Sequence, residues 1–237
     1  MLKIRPAVER GLADLGWLHS RHSFSFASYN DPEHMGFGPL RVINEDQVQP
    51  GKGFDTHGHQ DMEIISYVID GALQHRDSMG TGSIIRPGDV QRMTAGTGVR
   101  HSEFNASKNA PVHFLQIWIL PERRGLEPSY EQKTFSEDDM RGQWRLIGSR
   151  DGGDGSITIH QDVNLYATVL RNAQSLSREL PAERDTWLQM VRGAVTLDGR
   201  QLSAGDGVAI RGMRALELTG RTSEQLQSEV LLFDMGN

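Results

Sequence analysis

The segment GKGFDTHGHQDMEIISYVIDG, residues 51–71, carries the pattern on which our assignment of the fold depends. It contains His57 and His59 with one residue between them, a spacing that places both side chains on the same face of a β-strand. The run Glu63–Ile69 is short and rich in isoleucine and valine, and Asp70-Gly71 supplies a turn signal at its end. The segment therefore predicts two short strands, the first with two imidazoles on one face.

A second pair, His101 and Glu103, repeats the same spacing some forty residues later. If the two pairs lie on neighbouring strands, three imidazoles and one carboxylate meet at a single point. Imidazole nitrogen and carboxylate oxygen suit divalent Fe, Co, Ni, Cu, Zn and Mn. We therefore predict a metal site with the ligands His57, His59, His101 and Glu103. Four protein ligands leave one or two coordination positions for dioxygen or a chelating substrate.

The remainder of the chain predicts an all-β fold. Apolar runs such as Ser83–Arg86 and Val112–Leu120 are too short for typical helices and end at turn signals. Convincing helical patterns are scarce, and a single turn is expected over Glu137–Arg141 after a Ser136 N-cap. Many short strands at this spacing are typical of a sandwich or barrel.

Composition excludes several classes of function. The chain has 237 residues and no cysteine, which rules out disulfides, thiolate metal sites and a nucleophilic cysteine. A net charge of −6 argues against direct nucleic-acid binding, which needs a basic surface. No apolar stretch approaches the roughly 18 residues of a membrane span, and the first residues do not resemble a secretory signal. We expect an acidic, soluble, cytoplasmic protein.

A charged, glycine-rich region near residues 121–155 predicts a domain boundary, with domains at 1–132 and 133–237. The second half repeats the first in outline, because the turns at Gly193 and Gly205 echo those at Gly71 and Gly88. When these turns are aligned, Glu179 and Pro181 stand at the positions of the first ligand pair, His57 and His59. Leu218 and Gly220 stand at the positions of the second pair. The second domain is therefore expected to lack a metal site.

Other polar and aromatic residues are interpreted more simply. A His-x-His motif arises easily by chance in a chain with 9 histidines, so its context carries the argument. Glu63 is interpreted as an acid supporting the site or the fold rather than as a ligand. His22 is a candidate for contact with substrate. Four other histidines are interpreted as solvated or structural: His34, His75, His113 and His160. The large aromatic residues are interpreted as core: Trp17, Phe24, Phe26, Phe37 and Trp118.

The pattern Gly51-x5-His57-x-His59-x3-Glu63-x7-Gly71 resembles the first cupin motif, and Gly98-x2-His101-x3-Asn105 resembles the latter part of the second. Within the cupins, the closer resemblance is to the pirins. The stretches that carry it are Gly16-Trp17, His22–Phe26, Met35–Phe37, Leu40–Val42, Gly88–Gln91, Met93–Gly96, His101–Glu103 and Glu127–Gln132. The second half, including the closing Glu229–Asp234, resembles the C-terminal part of bacterial pirin-like quercetin dioxygenases. Many pirins have proline at the position of Gly58, and general cupins have proline at the position of Gly96.

This resemblance implies a bicupin of two β-barrels with one metal, in the N-terminal barrel only. Its ligands would be His57, His59, His101 and Glu103, and Fe(II) is the favoured ion, with Zn, Cu, Ni, Co or Mn as alternatives. It implies a quercetin 2,3-dioxygenase, which uses dioxygen to open the central ring of a flavonol and releases carbon monoxide. Glu103 would be the catalytic base that accepts the substrate's hydroxyl proton.

A different class of function also fits this resemblance. Pirins are described as regulatory partners, so the metal would act as a redox sensor that alters a protein surface. A third possibility is a metal-stabilised barrel with only incidental activity on flavonols. Deep apolar walls around the ligands would favour the enzyme, and a large exposed apolar patch would favour a protein partner. We expect a monomer that binds neither nucleic acid nor membranes.

Overall fold

The computed structural model describes residues 1–221 and 227–236. The chain divides into two compact units. The first unit comprises Gly11–Thr134 and Ile157–Gln161, and the second comprises Met1–Arg10, Phe135–Ser156 and Asp162–Asn237. The first ten residues thus pack within the second unit. The functional division at residues 132 and 133 stays a prediction.

The first unit consists of two antiparallel sheets. The strands of these sheets are β2 (Gly11–Asp14), β3 (Leu18–His22), β4 (Leu40–Val48), β5 (Gly53–His59), β6 (Glu63–Asp70), β7 (Leu73–Asp77), β8 (Gly82–Ile85), β9 (Asp89–Thr94), β10 (Val99–Asn105), β11 (Val112–Ile119) and β12 (Ser129–Thr134). The short strand β14 (Ile157–Thr158) also lies in this unit but in neither of these two sheets. One sheet has the order β12-β9-β6-β11-β4-β3-β2, and the other has the order β5-β10-β7-β8. The smaller sheet carries both predicted ligand pairs.

The second unit has the same general architecture. Its strands are β1 (Leu2–Arg5), β13 (Arg145–Ser149), β15 (Val163–Leu170), β16 (Ser175–Glu179), β17 (Asp185–Arg192), β18 (Ala194–Leu197), β19 (Arg200–Ser203), β20 (Gly207–Ile210), β21 (Ala215–Gly220) and β22 (Ser228–Met235). Within this unit, one sheet runs β1-β20-β17-β22-β15-β13 and the other runs β16-β21-β18-β19.

Helix is confined to short turns in the described residues. One α-turn, α1, spans Glu137–Met140, and 3-10 turns span Ala7–Glu9 and Gly153–Gly155. As predicted, Ser136 caps α1: its hydroxyl accepts from the Asp139 amide, while the Asp139 carboxylate accepts from the Ser136 amide. Within residues 1–221 and 227–236, no helix is long and apolar enough to cross a membrane.

Each unit closes over its own apolar core. In the first unit, Val68, Leu73 and Phe114 belong to one buried cluster, and Ile64 and Met93 belong to another. The strand predicted from Glu63–Ile69 is β6, and all seven of these residues are buried. Burial on both faces explains why isoleucine and valine occur in this run without a regular alternation of polar residues. The prediction of an all-β chain of two β-barrel domains is confirmed.

Candidate metal centre

Strands β5 and β10 bring the two predicted pairs side by side. They pair antiparallel, with His57 opposite His101 and His59 opposite Val99. Because side chains alternate along a strand, His57, His59 and His101 project from one face of the sheet. The pairing register shifts between His101 and Glu103, which indicates a local irregularity between these two residues.

The three imidazoles converge. The Nε2 atoms of His57 and His101 lie 3.1 Å apart, and one ring nitrogen from each of the three histidines lies within 4.8 Å of the others. Nε2 of His59 is buried and has no hydrogen-bond partner. A buried polar atom without a partner is costly unless a ligand satisfies it. The donor set therefore fits a divalent cation, which would satisfy these nitrogens together.

Two features prepare the imidazoles as ligands. The Nδ1–H of His57 donates to the backbone carbonyl of Asp55 at 2.8 Å, which leaves the Nε2 lone pair directed into the site. Burial, together with the charge of neighbouring histidines, lowers the pKa of His59 to about 4 and that of His101 to about 2. Both rings are therefore neutral near pH 7, the state in which imidazole binds metals.

Glu103 is held apart from His57 and His59. Its carboxylate, 2% exposed, accepts hydrogen bonds from Ser66 Oγ at 3.1 Å and Gln116 Nε2 at 2.9 Å. Burial raises its pKa to about 7. Glu103 belongs to a second group of potential donors with His101 and His75, and the four predicted ligands do not all lie within 4.8 Å of one another. Its role as a fourth ligand stays a prediction.

His75 is the residue of this centre that sequence reasoning missed. It lies on β7, is fully buried, and packs against the His101 ring with centroids 5.3 Å apart. The available signal was the alternation of Leu73, His75 and Asp77 along one face of a strand. That alternation does not connect His75 with the predicted ligands until the pairing of β7 with β10 is known.

An aromatic cleft of about 490 Å³ is connected to the imidazoles only through Trp118, and none of the three histidines lines it. Trp118 lines it, lies against His59 with ring centroids 4.9 Å apart, and meets Phe26 edge-on at 5.4 Å. The indole Nε1–H of Trp118 is buried and has no partner. Trp118 and Phe26, interpreted from the sequence as core residues, therefore lie at the wall of a cleft. Tyr29, Met35, Arg41 and Met62 are among the other lining residues.

Two protein-family models match this chain. The family model described as Pirin matches residues 4–119, and the model described as Quercetinase C-terminal cupin domain matches residues 146–235. A protein of Escherichia coli K12 named quercetin 2,3-dioxygenase is 46% identical over 99% of each chain. The chain belongs to the pirin family. A pirin-like protein of Caulobacter vibrioides is 37% identical over 95% of this chain and 97% of its own.

A solved pirin structure agrees closely with this fold. The bacterial pirin YhhW from Escherichia coli, determined in complex with nickel(II), superposes with a TM-score of 0.93 at 45% identity, covering 100% of this chain and 99% of that one. A quercetin 2,3-dioxygenase from Acinetobacter baumannii, at 19% identity and a TM-score of 0.77, shares the fold. The bicupin architecture is thus confirmed, and the chain is quercetin 2,3-dioxygenase-like over its whole length.

Outside the centre of this pirin, the remaining candidates have structural partners. Glu63 is fully buried and accepts from both the backbone amide and Nδ1 of His160 at 3.1 Å, so it joins neither histidine group. His22 is buried, with Nδ1 2.8 Å from Asn44 Oδ1, and does not line the aromatic cleft. His34 and His113 pair with Asp31 and Glu45.

The second unit of the pirin places leucines at the corresponding strand positions. Strand β21 pairs with β16 so that Leu218 lies opposite Leu176. Leu218 is fully buried in the core cluster of this unit, and Leu176 packs against that cluster. The turn-based alignment placed Glu179, not Leu176, at the His57 position, so that alignment is displaced by three residues on this strand.

Proposed function

We propose that this pirin is a metal-dependent dioxygenase that opens the central ring of flavonols such as quercetin. The observation that carries the proposal is the convergence of three imidazoles, with Nε2 of His57 and His101 3.1 Å apart and Nε2 of His59 buried without a partner. The identity to proteins named quercetin 2,3-dioxygenase supports the reaction class. We also propose the functional division into a metal-binding domain, residues 1–132, and a domain without ligands, residues 133–237.

His57, His59 and His101 would hold the ion, with Glu103 as the fourth ligand. Fe(II) is our favoured ion, and nickel(II) is the ion in the related YhhW structure. Zinc, copper, cobalt and manganese suit the same nitrogen and oxygen donors. A divalent ion in this position would supply Lewis acidity, which lowers the pKa of a chelating hydroxyl group, and exchangeable positions for substrate and dioxygen.

The aromatic cleft supports a flat, aromatic substrate. Its wall contains the Trp118 indole and the Phe26 ring, and a flavonol would meet these surfaces with its own rings. Trp118 Nε1–H has no partner in the protein, so an oxygen of the substrate would satisfy it.

Glu103 is the group we assign to proton transfer. The 3-hydroxyl of a flavonol must lose its proton before the molecule chelates as an anion. Hydrogen bonds from Ser66 and Gln116 stabilise the carboxylate, whereas burial disfavours it and raises its pKa to about 7. A bound divalent cation would favour the carboxylate form of Glu103, and in that form Glu103 accepts the substrate's proton as a general base.

The test starts from protein purified without oxygen. Metal content is measured by elemental analysis, followed by oxygen uptake and carbon monoxide release with quercetin and other flavonols. We expect His57→Ala and His101→Ala to lose both metal and turnover, and the matched control His113→Ala to keep both. Glu103→Gln should lose turnover more than metal. Stoichiometric metal in both histidine variants would refute the ligand assignment, and metal-loaded protein inert toward every flavonol would favour the redox-sensing role.

A further inference from the structure

A second histidine lies directly behind His101. Strand β10 is flanked by β5 on one side and β7 on the other, and in the β7 pairing His101 lies opposite Asp77 while Glu103 lies opposite His75. The Nδ1 atoms of His101 and His75 are 3.5 Å apart, and Nε2 of His75 is 3.1 Å from Asp77 Oδ2. The three side chains therefore form a chain that leads away from the imidazole cluster.

The far end of this chain is fixed. The side chains of His75 and Asp77 are both fully buried. Asp77 Oδ1 accepts hydrogen bonds from the backbone amides of Met79 at 2.9 Å and Thr81 at 3.0 Å, which leaves Oδ2 for His75. The ring of Tyr130 packs against His75 with centroids 5.1 Å apart. His75 thus has little freedom to rotate, and its Nε2 has a carboxylate as partner.

The tautomers follow from these partners. A carboxylate only accepts hydrogen bonds, so His75 carries its proton on Nε2 and presents the bare Nδ1 to His101. A neutral His101 then carries its proton on Nδ1, directed at His75, and its Nε2 lone pair points toward His57. Asp77 thus determines which nitrogen of His75 carries the proton, and His75 determines this for His101. The Asp77 carboxylate is itself held by two backbone amides.

We propose that His75 and Asp77 are positioning residues that fix the tautomer and orientation of His101 so that Nε2 binds the metal. This inference rests on the ligand role proposed for His101. Histidine ligands commonly donate their second ring proton to a neighbouring acceptor, and loss of that acceptor typically weakens metal binding by about 10–100-fold. For His57, the acceptor of the second ring proton is the Asp55 backbone carbonyl. For His101, the acceptor is the His75 side chain, which is held in turn by Asp77.

Asp77→Asn is the decisive variant because it preserves the shape of the side chain and reverses the hydrogen bond between His75 and residue 77. Two backbone amides hold the Oδ1 position, so the new amide nitrogen would face His75 and donate to its Nε2. His75 would then carry its proton on Nδ1, facing the Nδ1 proton of His101. Two opposed donors disfavour the ligand orientation of His101. We expect the dissociation constant for nickel(II), measured by competition with a chelator, to rise about 10–100-fold.

A second variant and a control complete the experiment. His75→Phe keeps a ring but removes the acceptor and should weaken nickel(II) binding to a similar extent. Arg76→Gln lies on the same strand with an exposed side chain and should bind nickel(II) as the wild type does. In the zinc-loaded protein, 15N NMR of the imidazoles should show His75 protonated at Nε2 and His101 at Nδ1, and Asp77→Asn should move the His75 proton to Nδ1.

The outcomes separate this inference from the proposed function. A folded Asp77→Asn protein with a nickel(II) dissociation constant within about twofold of wild type would overturn it, as would a wild-type His75 protonated at Nδ1. If His101→Ala retains its metal, the ligand assignment itself fails, and the inference fails with it. Nickel(II) affinity and imidazole tautomers are read without any flavonol, so absence of turnover leaves this test intact.

Discussion

Replacement of Asp46 by asparagine should flatten the pH dependence of the stability of this pirin. Asp46 lies on β4, is 4% exposed, and has a buried Oδ1 without a hydrogen-bond partner. Burial raises its pKa from 3.8 to about 7. A hydrogen bond to Ser20 and the charge of His113 lower the pKa, and the charge of Glu45 raises it, but burial dominates.

The sign follows from the raised pKa of the native state. Protonated Asp46 is favoured in the folded protein, so its contribution to the free energy of unfolding is complete below pH 3.8 and is lost as the pH rises through about 7. The difference between 3.8 and about 7, at about 1.4 kcal/mol for each pH unit, sets an upper limit of roughly 4 kcal/mol. The carboxylate of Glu103 is coupled to this change, because the charge on Asp46 also raises the pKa of Glu103.

The assay is guanidinium denaturation of metal-free wild type and Asp46→Asn between about pH 4.5 and pH 8.5, followed by tryptophan fluorescence and circular dichroism. Removal of the metal prevents ligand binding from contributing its own pH dependence. The stability of the wild type relative to the variant should fall by about 2–4 kcal/mol across this range. Parallel stability curves, with a difference constant to within about 1 kcal/mol, would refute the reasoning that burial controls Asp46.

Four further outcomes follow from the structure. Phe114→Ala, in a fully buried position, should lower the free energy of unfolding by about 3–5 kcal/mol, measured by denaturation. Gly96→Ala should cost at least about 2 kcal/mol in the same assay, because φ is +46° and a Cβ would lie 2.0 Å from the Leu126 carbonyl oxygen. Gly58→Ala should be tolerated and stabilise by about 0.4–1 kcal/mol, since its Cβ would meet no atom closer than 3.8 Å. Trp118→Phe should raise the KM for quercetin about fivefold with unchanged metal content, because one hydrogen bond of about 1 kcal/mol is lost; an unchanged KM would remove Trp118 from the proposed substrate site.

The convergence of the histidines was predictable because a period of two is a local property of the chain. One intervening residue in His57-x-His59 and in His101-x-Glu103 fixes the relative directions of the side chains on any strand. The strand that follows the first pair was recognisable from its short run rich in isoleucine and valine, because a strand buried on both faces needs no regular polar alternation. The prediction needed one long-range contact in addition, the pairing of β5 with β10, which brings His101 opposite His57.

The partners behind the cluster were not predictable, because they depend on which strand lies on the other side of β10. His75 and Asp77 reach His101 only through the pairing of β7 with β10, a choice made by the whole sheet. The hydrogen bonds of Glu103 have the same origin, since Ser66 and Gln116 come from strands of the other sheet of the first unit. Sequence spacing specifies neither contact, so the carboxylate was predicted as a ligand without its competing partners.

The second unit shows why a turn-based alignment loses register, and its functional conclusion, a domain without metal, stays a prediction. In the first unit, His59 ends β5 and three residues precede β6, whereas Glu179 ends β16 and five residues precede β17. The longer connection accounts for two of the three residues by which an alignment counted back from Gly193 is displaced. The third arises because Leu176 lies three residues before the end of β16, whereas His57 lies two before the end of β5. Cross-strand pairing corrects this, because Leu176 opposes Leu218 as His57 opposes His101. Two leucines at these positions offer no donor atoms and fill the space with apolar surface, which would make a bare divalent ion there costly. The physical case for a second domain without metal therefore rests on what occupies the paired positions, and it is stronger than the alignment that first suggested it.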